Sequence, residues 1–179
     1  TKKPSQEFEA TVRAGFAEDN TYTGLATVAG PLGENVAGRL TVDYRTTDGF
    51  YSNSFLNDSV VDDAKNHAVQ ARIVFDPSDR LSIDTKLRKG KSEAAAITFN
   101  AAFQLPPFLG FGTPGVESFY QDVNSHEFIF AGNVRPVNEQ SVLEFSVKAD
   151  LEMDWATLSA WTFFSDTEDT FIADGTSGA

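Results

Sequence analysis

The feature that most constrains this chain is the length of its alternating runs. In GRLTVDYRTTD (38–48), Leu40, Val42 and Tyr44 fall on one side of an extended strand, and Arg39, Thr41, Asp43 and Arg45 fall on the other. The same period-two pattern recurs at 7–17, where Phe8, Ala10, Val12, Ala14 and Phe16 oppose Glu9, Thr11 and Arg13. It recurs at 65–76, with His67, Val69, Ala71, Ile73 and Phe75 against Asn66, Gln70 and Arg72. At 79–90 Leu81, Ile83, Thr85 and Leu87 oppose Ser82, Asp84, Lys86 and Arg88, and at 140–152 Leu143, Phe145, Val147, Ala149 and Leu151 oppose Glu144, Ser146, Lys148 and Asp150. Two further runs, 20–30 and 155–166, carry similar residues on both sides and leave their facing open. With the opening stretch extended to 36–48, these make seven strands and no convincing amphipathic helix. The fold class expected is all-β, an antiparallel up-and-down meander of about seven long strands.

Strands of roughly 10 to 13 residues exceed the 5 to 6 usual in soluble sheets and match the 9 to 11 that a tilted strand needs to cross a bilayer. The connections also alternate. GPLGEN (30–35), DPSD (76–79) and EMDW (152–155) read as tight turns, with Pro, Gly, Asn and Asp where turn geometry wants them. The other links are the loops 49–64 and 91–139 and the tail beyond 166, apart from the short link near Glu18 and Asp19. A meander puts alternate links at the same edge, so tight turns gather at one end and long excursions at the other. That is the plan of an outer-membrane barrel, whose strands face lipid with apolar side chains and a wet lumen with polar ones. A soluble sandwich has no physical reason for it. Residues 124–133 (NSHEFIFAGN) also alternate; counted as a full strand they would break the edge rule, so they are read as an excursion within the long loop.

Composition narrows the function classes. The chain has 26 acidic and 14 basic residues and a formal net charge of −12, which argues against nucleic-acid binding through clustered Lys and Arg. It has no Cys, so disulfides, thiolate metal sites and cysteine catalysis are excluded, and its two His leave little for a His-based metal centre. No stretch approaches 18 apolar residues, and the opening TKKPSQEFEA lacks a signal-peptide core. The chain reads as a piece of a longer one. Seven such strands do not close a barrel with a lumen, so the expected architecture is an incomplete transmembrane β-barrel, completed by strands elsewhere. Phe8, Phe16, Tyr22, Tyr44, Phe75 and Trp155 lie near strand ends, where interfacial aromatic girdles belong.

These features meet a family resemblance. TKKPS (1–5) resembles the exit from the plug domain of TonB-dependent outer-membrane receptors into their barrel. VAGPLGENVAGRLTVDYRTTDGFY is similar to the family's second and third strands with their Pro-Leu periplasmic turn and external Asp-Gly-Phe loop. FDPSDRLSI resembles the next periplasmic hairpin, and DLEMDWATLSAWTFFSDTED the hairpin after the third loop. The resemblance spans most of the chain except the long loop. It implies the N-terminal part of a receptor barrel in the outer membrane of a Gram-negative bacterium, without its plug. It implies uptake of a large ligand such as an iron-siderophore complex, cobalamin or a carbohydrate. The partners implied are outer-membrane lipid, the plug domain, the remaining barrel strands and, through the N-terminal part only, TonB. A soluble secreted all-β module for a sugar or lipid is the alternative.

Catalytic, cofactor and metal sites are not expected. GFGTPG (110–115) fits G-x-G-x-x-G, but QLPPFL precedes it and no helix pattern follows, so it reads as a loop. Asp58, Asp62 and Asp63, and Asp166, Glu168 and Asp169, supply oxygens without calcium-loop spacing and read as solvated loop ends. His126 beside Glu127 and His67 near Asp63 come with no nucleophile or oxyanion element. The candidate ligand contacts are loop aromatics: Phe50, Tyr51 and Phe55 in the shorter loop, and Phe108, Phe111, Phe119 and Tyr120 in the longer one. The reading that competes with ligand contact is packing of the loops on each other or on a plug.

Overall fold

The computed structural model describes residues 2–4, 6–53, 56–57, 62–95, 102–103, 120–121 and 134–172. Nine strands follow in order: β1 (Glu9–Ala17), β2 (Thr21–Gly33), β3 (Val36–Thr47), β4 (Ala64–Ser78), β5 (Leu81–Ala94), β6 (Ala102–Phe103), β7 (Tyr120–Gln121), β8 (Val137–Met153) and β9 (Ala156–Ile172). Seven form one antiparallel sheet in the order β1-β2-β3-β4-β5-β8-β9, an up-and-down meander; β6 and β7 pair as a two-residue ladder within the long β5–β8 connection. The sheet is not closed: β1 and β9 each have a single neighbour among the described residues.

The register joins the apolar positions of neighbouring strands into continuous rows, as a strict side-chain period of two requires. Val28 faces Leu40, Leu40 faces Ala71, Ala71 faces Leu87, Leu87 faces Phe145, and Phe145 faces Phe164. The opposite face carries the row Arg39, Arg72, Lys86 and Ser146 and the row Thr41, Gln70, Arg88 and Glu144. The two strands of open facing are resolved by their partners. On β2, Tyr22, Ala26 and Val28 join the apolar face and Thr23, Leu25 and Thr27 the polar one; on β9, Leu158, Ala160 and Phe164 join the apolar face, while Trp161 and Phe163 stand opposite Lys148 and Ser146.

Burial runs against polarity. The least exposed hydrophobic residues, Ala29, Ala37, Ala68 and Val74, and the buried Thr27 all lie on the polar face, beside Arg39, Asp84, Asp43 and Thr41. The large apolar side chains of the other face stand open: Leu40 at 44%, Val42 at 41%, Val69 at 45% and Leu87 at 47% exposure. Crowding on one side and openness on the other are what a sheet curled toward its polar face produces. Small residues between long charged ones are covered by their aliphatic stems.

The links divide by edge. At one edge the strands are joined by two-residue turns at Glu34 and Asn35, Asp79 and Arg80, and Asp154 and Trp155. The register shifts between Pro31 and Gly33 and between Phe75 and Ser78, so Pro31 and Pro77, which cannot donate to a ladder, sit at bulges. Adjacent turns are tied by Asp76 N–H to Asn35 O (2.8 Å), Glu152 N–H to Arg80 O (2.7 Å) and the Arg80–Asp154 ion pair (2.8 Å). At the other edge, Asp19 (φ 55°) and Asn20 (φ 47°) make the hairpin turn between β1 and β2, with Thr21 N–H donating to Glu18 O. The long β3–β4 and β5–β8 connections leave from this same edge.

Several strands outrun the sequence pattern. β5 continues to Ala94, β8 begins at Val137, and β9 runs to Ile172, so Asp166, Glu168 and Asp169 belong to a strand and not to a loop end. Backbone pairing continues past the point where apolar alternation gives way to charge. Residues 124–133 lie outside the described residues.

Candidate functional site

The loop-edge cluster is organised by one carboxylate. Gly49 has φ of +73°, a region that favours glycine, and an added Cβ would collide with Asp62. That turn brings Phe50 N–H and Tyr51 N–H onto Asp62 Oδ1, at 2.9 and 2.8 Å. Asp62 therefore pins the two ends of the β3–β4 connection together. The connection is also anchored to the neighbouring hairpin: Asp48 N–H donates to Asp19 O (3.0 Å), Asn20 Nδ2 to Asp48 Oδ2 (2.7 Å), and Thr21 Oγ1 to Thr47 Oγ1 (2.8 Å). Asn53 is 1% exposed and its Oδ1 accepts Leu56 N–H at 3.3 Å. A rigid base thus presents Phe50 and Tyr51 side by side, ring centroids 4.2 Å apart and tilted by 45°. Phe50 is 45% exposed and Tyr51 half-buried.

Of the other candidates for ligand contact, Phe55, Phe108, Phe111 and Phe119 lie outside the described residues, and Tyr120 begins β7 opposite Phe103. GFGTPG, Asp58, His126 and Glu127 also lie outside them. Asp62 is occupied by backbone N–H groups, and Asp63 faces Arg135 at 3.7 Å. Asp166 and Glu168 share the apolar face, whereas Asp169 is on the opposite one and accepts from Gln140 Nε2 at 2.8 Å; this trio cannot converge on one ion. Among the described residues no group of three or more His, Asp and Glu is placed to hold a metal ion.

The polar face carries a network that depends on register. Arg72 donates to Asp84 through Nε (2.9 Å) and Nη2 (2.6 Å), a two-pronged pair with side chains only 12% and 15% exposed. Arg88 pairs with Glu144 at 3.0 Å and Lys148 with Asp150 at 2.8 Å; Asp150 also accepts from Ser159. Arg39 stands 3.7 Å from Glu9, which Lys2 holds at 2.9 Å. The segment leading into β1 approaches from this side: Pro4 is buried, and Lys3 lies within electrostatic reach of Asp84 and Asp150.

The strand-end aromatics form two groups, one toward each edge of the sheet, with Trp155 in the β8–β9 turn. Phe16 and Tyr22, with centroids 5.4 Å apart, and Tyr44 lie toward the loop edge. Phe8, Phe75 and Trp155 lie toward the turn edge, all exposed. Tyr44 faces His67 and Val36 faces Phe75, so the groups stand eight residues apart on β4. That is about 27 Å along a strand, or about 20 Å along the normal at a 40° tilt, near the roughly 25 Å apolar band of membrane barrels.

The pairing partners on the polar face were not visible in the sequence, although the alternation of charge was. Trp161 and Phe163 were missed as polar-face aromatics because β9 alternates aromatic with small residues on both sides.

What fold and site define is an open, seven-stranded antiparallel meander whose apolar face is exposed among the described residues and whose charged face is partly buried. Comparison with known proteins brings no match: no family model fits the sequence, and no curated protein or solved structure is similar to it.

Proposed function

We propose that the chain is part of an outer-membrane receptor barrel of the TonB-dependent type, which takes up a large ligand such as an iron-siderophore complex, cobalamin or a carbohydrate. The observation that carries this reading is the inversion of burial: on the polar face the small residues Thr27, Ala29, Ala37, Ala68 and Val74 are buried and the Arg72–Asp84 pair is largely covered, whereas Leu40, Val42, Val69, Ile73 and Phe145 are open. In water that arrangement leaves a broad apolar surface exposed; in hydrocarbon it is the low-energy one. The two-residue turns at one edge, the long connections at the other and the two aromatic groups fit the same reading. The polar face would line a lumen filled by a plug entering β1 through Lys2, Lys3 and Pro4. The unpaired edges of β1 and β9 would join the remaining strands. Lipid, plug and those strands are the partners; TonB would act only through the plug's end of the chain. Phe50 and Tyr51 would meet the external ligand.

The test is fractionation of the full-length gene product in a Gram-negative host, with binding of candidate ligands to the purified receptor. Recovery in the outer membrane, and weaker ligand binding in a Phe50→Ala, Tyr51→Ala double variant, are the expected results. A folded, detergent-free product in the soluble fraction would instead favour a secreted ligand-binding module.

A further inference from the structure

The apolar face changes character toward the loop edge. The row Ala71, Leu87, Phe145 and Phe164 is wholly apolar. In the next row Lys89 stands between Val69 and Leu143, with Asp166 at the far end. The row after it is His67, Lys91, Ser141 and Glu168, and then come Lys65, Glu93 and Glu139. A groove of about 480 Å³ follows this change. Its floor is Val69, Ala71, Leu87 and Leu143; Lys89 and Lys91 rise on the β5 side, Asp166 and Glu168 on the β9 side. Lys91 is engaged by Glu93, which Lys65 also faces. Lys89 has no ion pair among the described residues, and its two cross-strand neighbours are a valine and a leucine.

We propose that this groove binds a phosphate-bearing lipid, with an acyl chain on its apolar floor and the phosphate on Lys89 and Lys91. The inference rests on the reading of this face as lipid-facing. A lysine flanked by apolar side chains at the margin of an apolar band extends its ammonium toward the headgroup layer, where an anion lowers its cost. The carboxylates of Asp166 and Glu168 lie two strands away, about 10 Å across the sheet. They repel phosphate from β9 and so place it over β4 and β5. A ligand of opposite polarity, with its cationic group on β9, would depend on those carboxylates instead. The two pairs of variants therefore move binding in opposite directions only if phosphate is the recognised group.

The experiment is native mass spectrometry of the full-length protein in detergent micelles, titrated with dioleoylphosphatidylglycerol or with diolein, which has the same chains and no phosphate. The expected result is a phosphatidylglycerol adduct much more abundant than the diolein one. Lys89→Gln with Lys91→Gln should weaken it about 30-fold, from the usual worth of two surface lysines at an anionic headgroup. Asp166→Asn with Glu168→Gln should tighten it. Equal adducts of both lipids, or lysine variants that bind as the parent does, overturn the lipid site while leaving the membrane reading intact. Loss of binding in the carboxylate pair overturns the phosphate assignment. A protein that stays folded and lipid-free without detergent overturns both readings at once.

Discussion

Placing a charge at Val42 separates a lipid-facing surface from a water-facing one. Val42 lies six residues from the start of β3 and five from its end, about 20 and 17 Å along the strand. It is 41% exposed between Ala26 and Val69, so a lysine fits there without displacing a packed core. If this face meets hydrocarbon, Val42→Lys sits near the mid-plane and costs about 2–4 kcal/mol, whereas Thr46→Lys, on the same face one residue from the strand's end, costs about 0–1 kcal/mol. If the face meets water, both changes are exposed-surface substitutions worth about ±0.5 kcal/mol. The assay is equilibrium guanidinium unfolding of the full-length protein in phosphatidylcholine vesicles, followed by tryptophan fluorescence. The expected result is a loss at Val42 larger than at Thr46 by about 1 kcal/mol or more. Equal losses at the two positions would refute the assignment of the apolar face to lipid.

The two-pronged Arg72–Asp84 pair is largely covered, so Asp84→Ala, which takes both hydrogen bonds from Arg72, should cost about 1.5–3 kcal/mol, while Arg72→Met with Asp84→Leu should cost less than the two single changes summed. A double-mutant cycle on the same unfolding assay checks this, and additive losses would count against it. Gly49→Ala meets both a positive φ and the Asp62 carboxylate, and should destabilise the loop base by about 1 kcal/mol or more, read as faster limited proteolysis between residues 48 and 63. Asp62→Ala, which frees Phe50 and Tyr51 N–H, should give the same pattern, and unchanged cleavage would show that the carboxylate is not the anchor. Thr27→Val removes a hydroxyl 3.1 Å from Thr41 on the covered face and should cost about 1 kcal/mol, whereas Thr23→Val on the same strand should be near neutral.

Strand content, meander order and the edge asymmetry were legible because period-two alternation and turn residues are local signals. Leu40, Val42 and Tyr44 announced their shared face from GRLTVDYR alone. What was not legible depends on register. The closeness of Arg72 to Asp84 requires β4 and β5 to pair with Ala71 opposite Leu87, and no property of either strand read singly fixes that offset. Strand ends were hidden for a related reason. Lys91 to Ala94 on β5 and Thr167 to Ile172 on β9 look like loop, because the apolar signal fades before the hydrogen-bonded ladder does. The base of the β3–β4 connection escaped notice because Asp62 acts through backbone N–H groups, which any residue supplies.

The open edges carry the argument one step further. β9 is 17 residues long and β1 is 9, and the outer side of each has no ladder partner among the described residues. In an extended strand about half of the residues point their N–H and C=O groups toward each side, so one edge of β9 leaves about 16 such groups unpaired. In water they are solvated; in hydrocarbon each costs several kcal/mol, a sum far beyond the 5–15 kcal/mol that stabilises a typical domain. A lipid-facing apolar surface and two bare edges are therefore compatible only if other strands pair with β1 and β9. The expectation is measurable on those edges: backbone amides of Thr157 to Phe171 that face outward should be protected from hydrogen exchange in the full-length protein in bilayers. Rapid exchange along that edge in a membrane-inserted, folded receptor would mean that the sheet ends at β9 and that the apolar face cannot be immersed to its full depth.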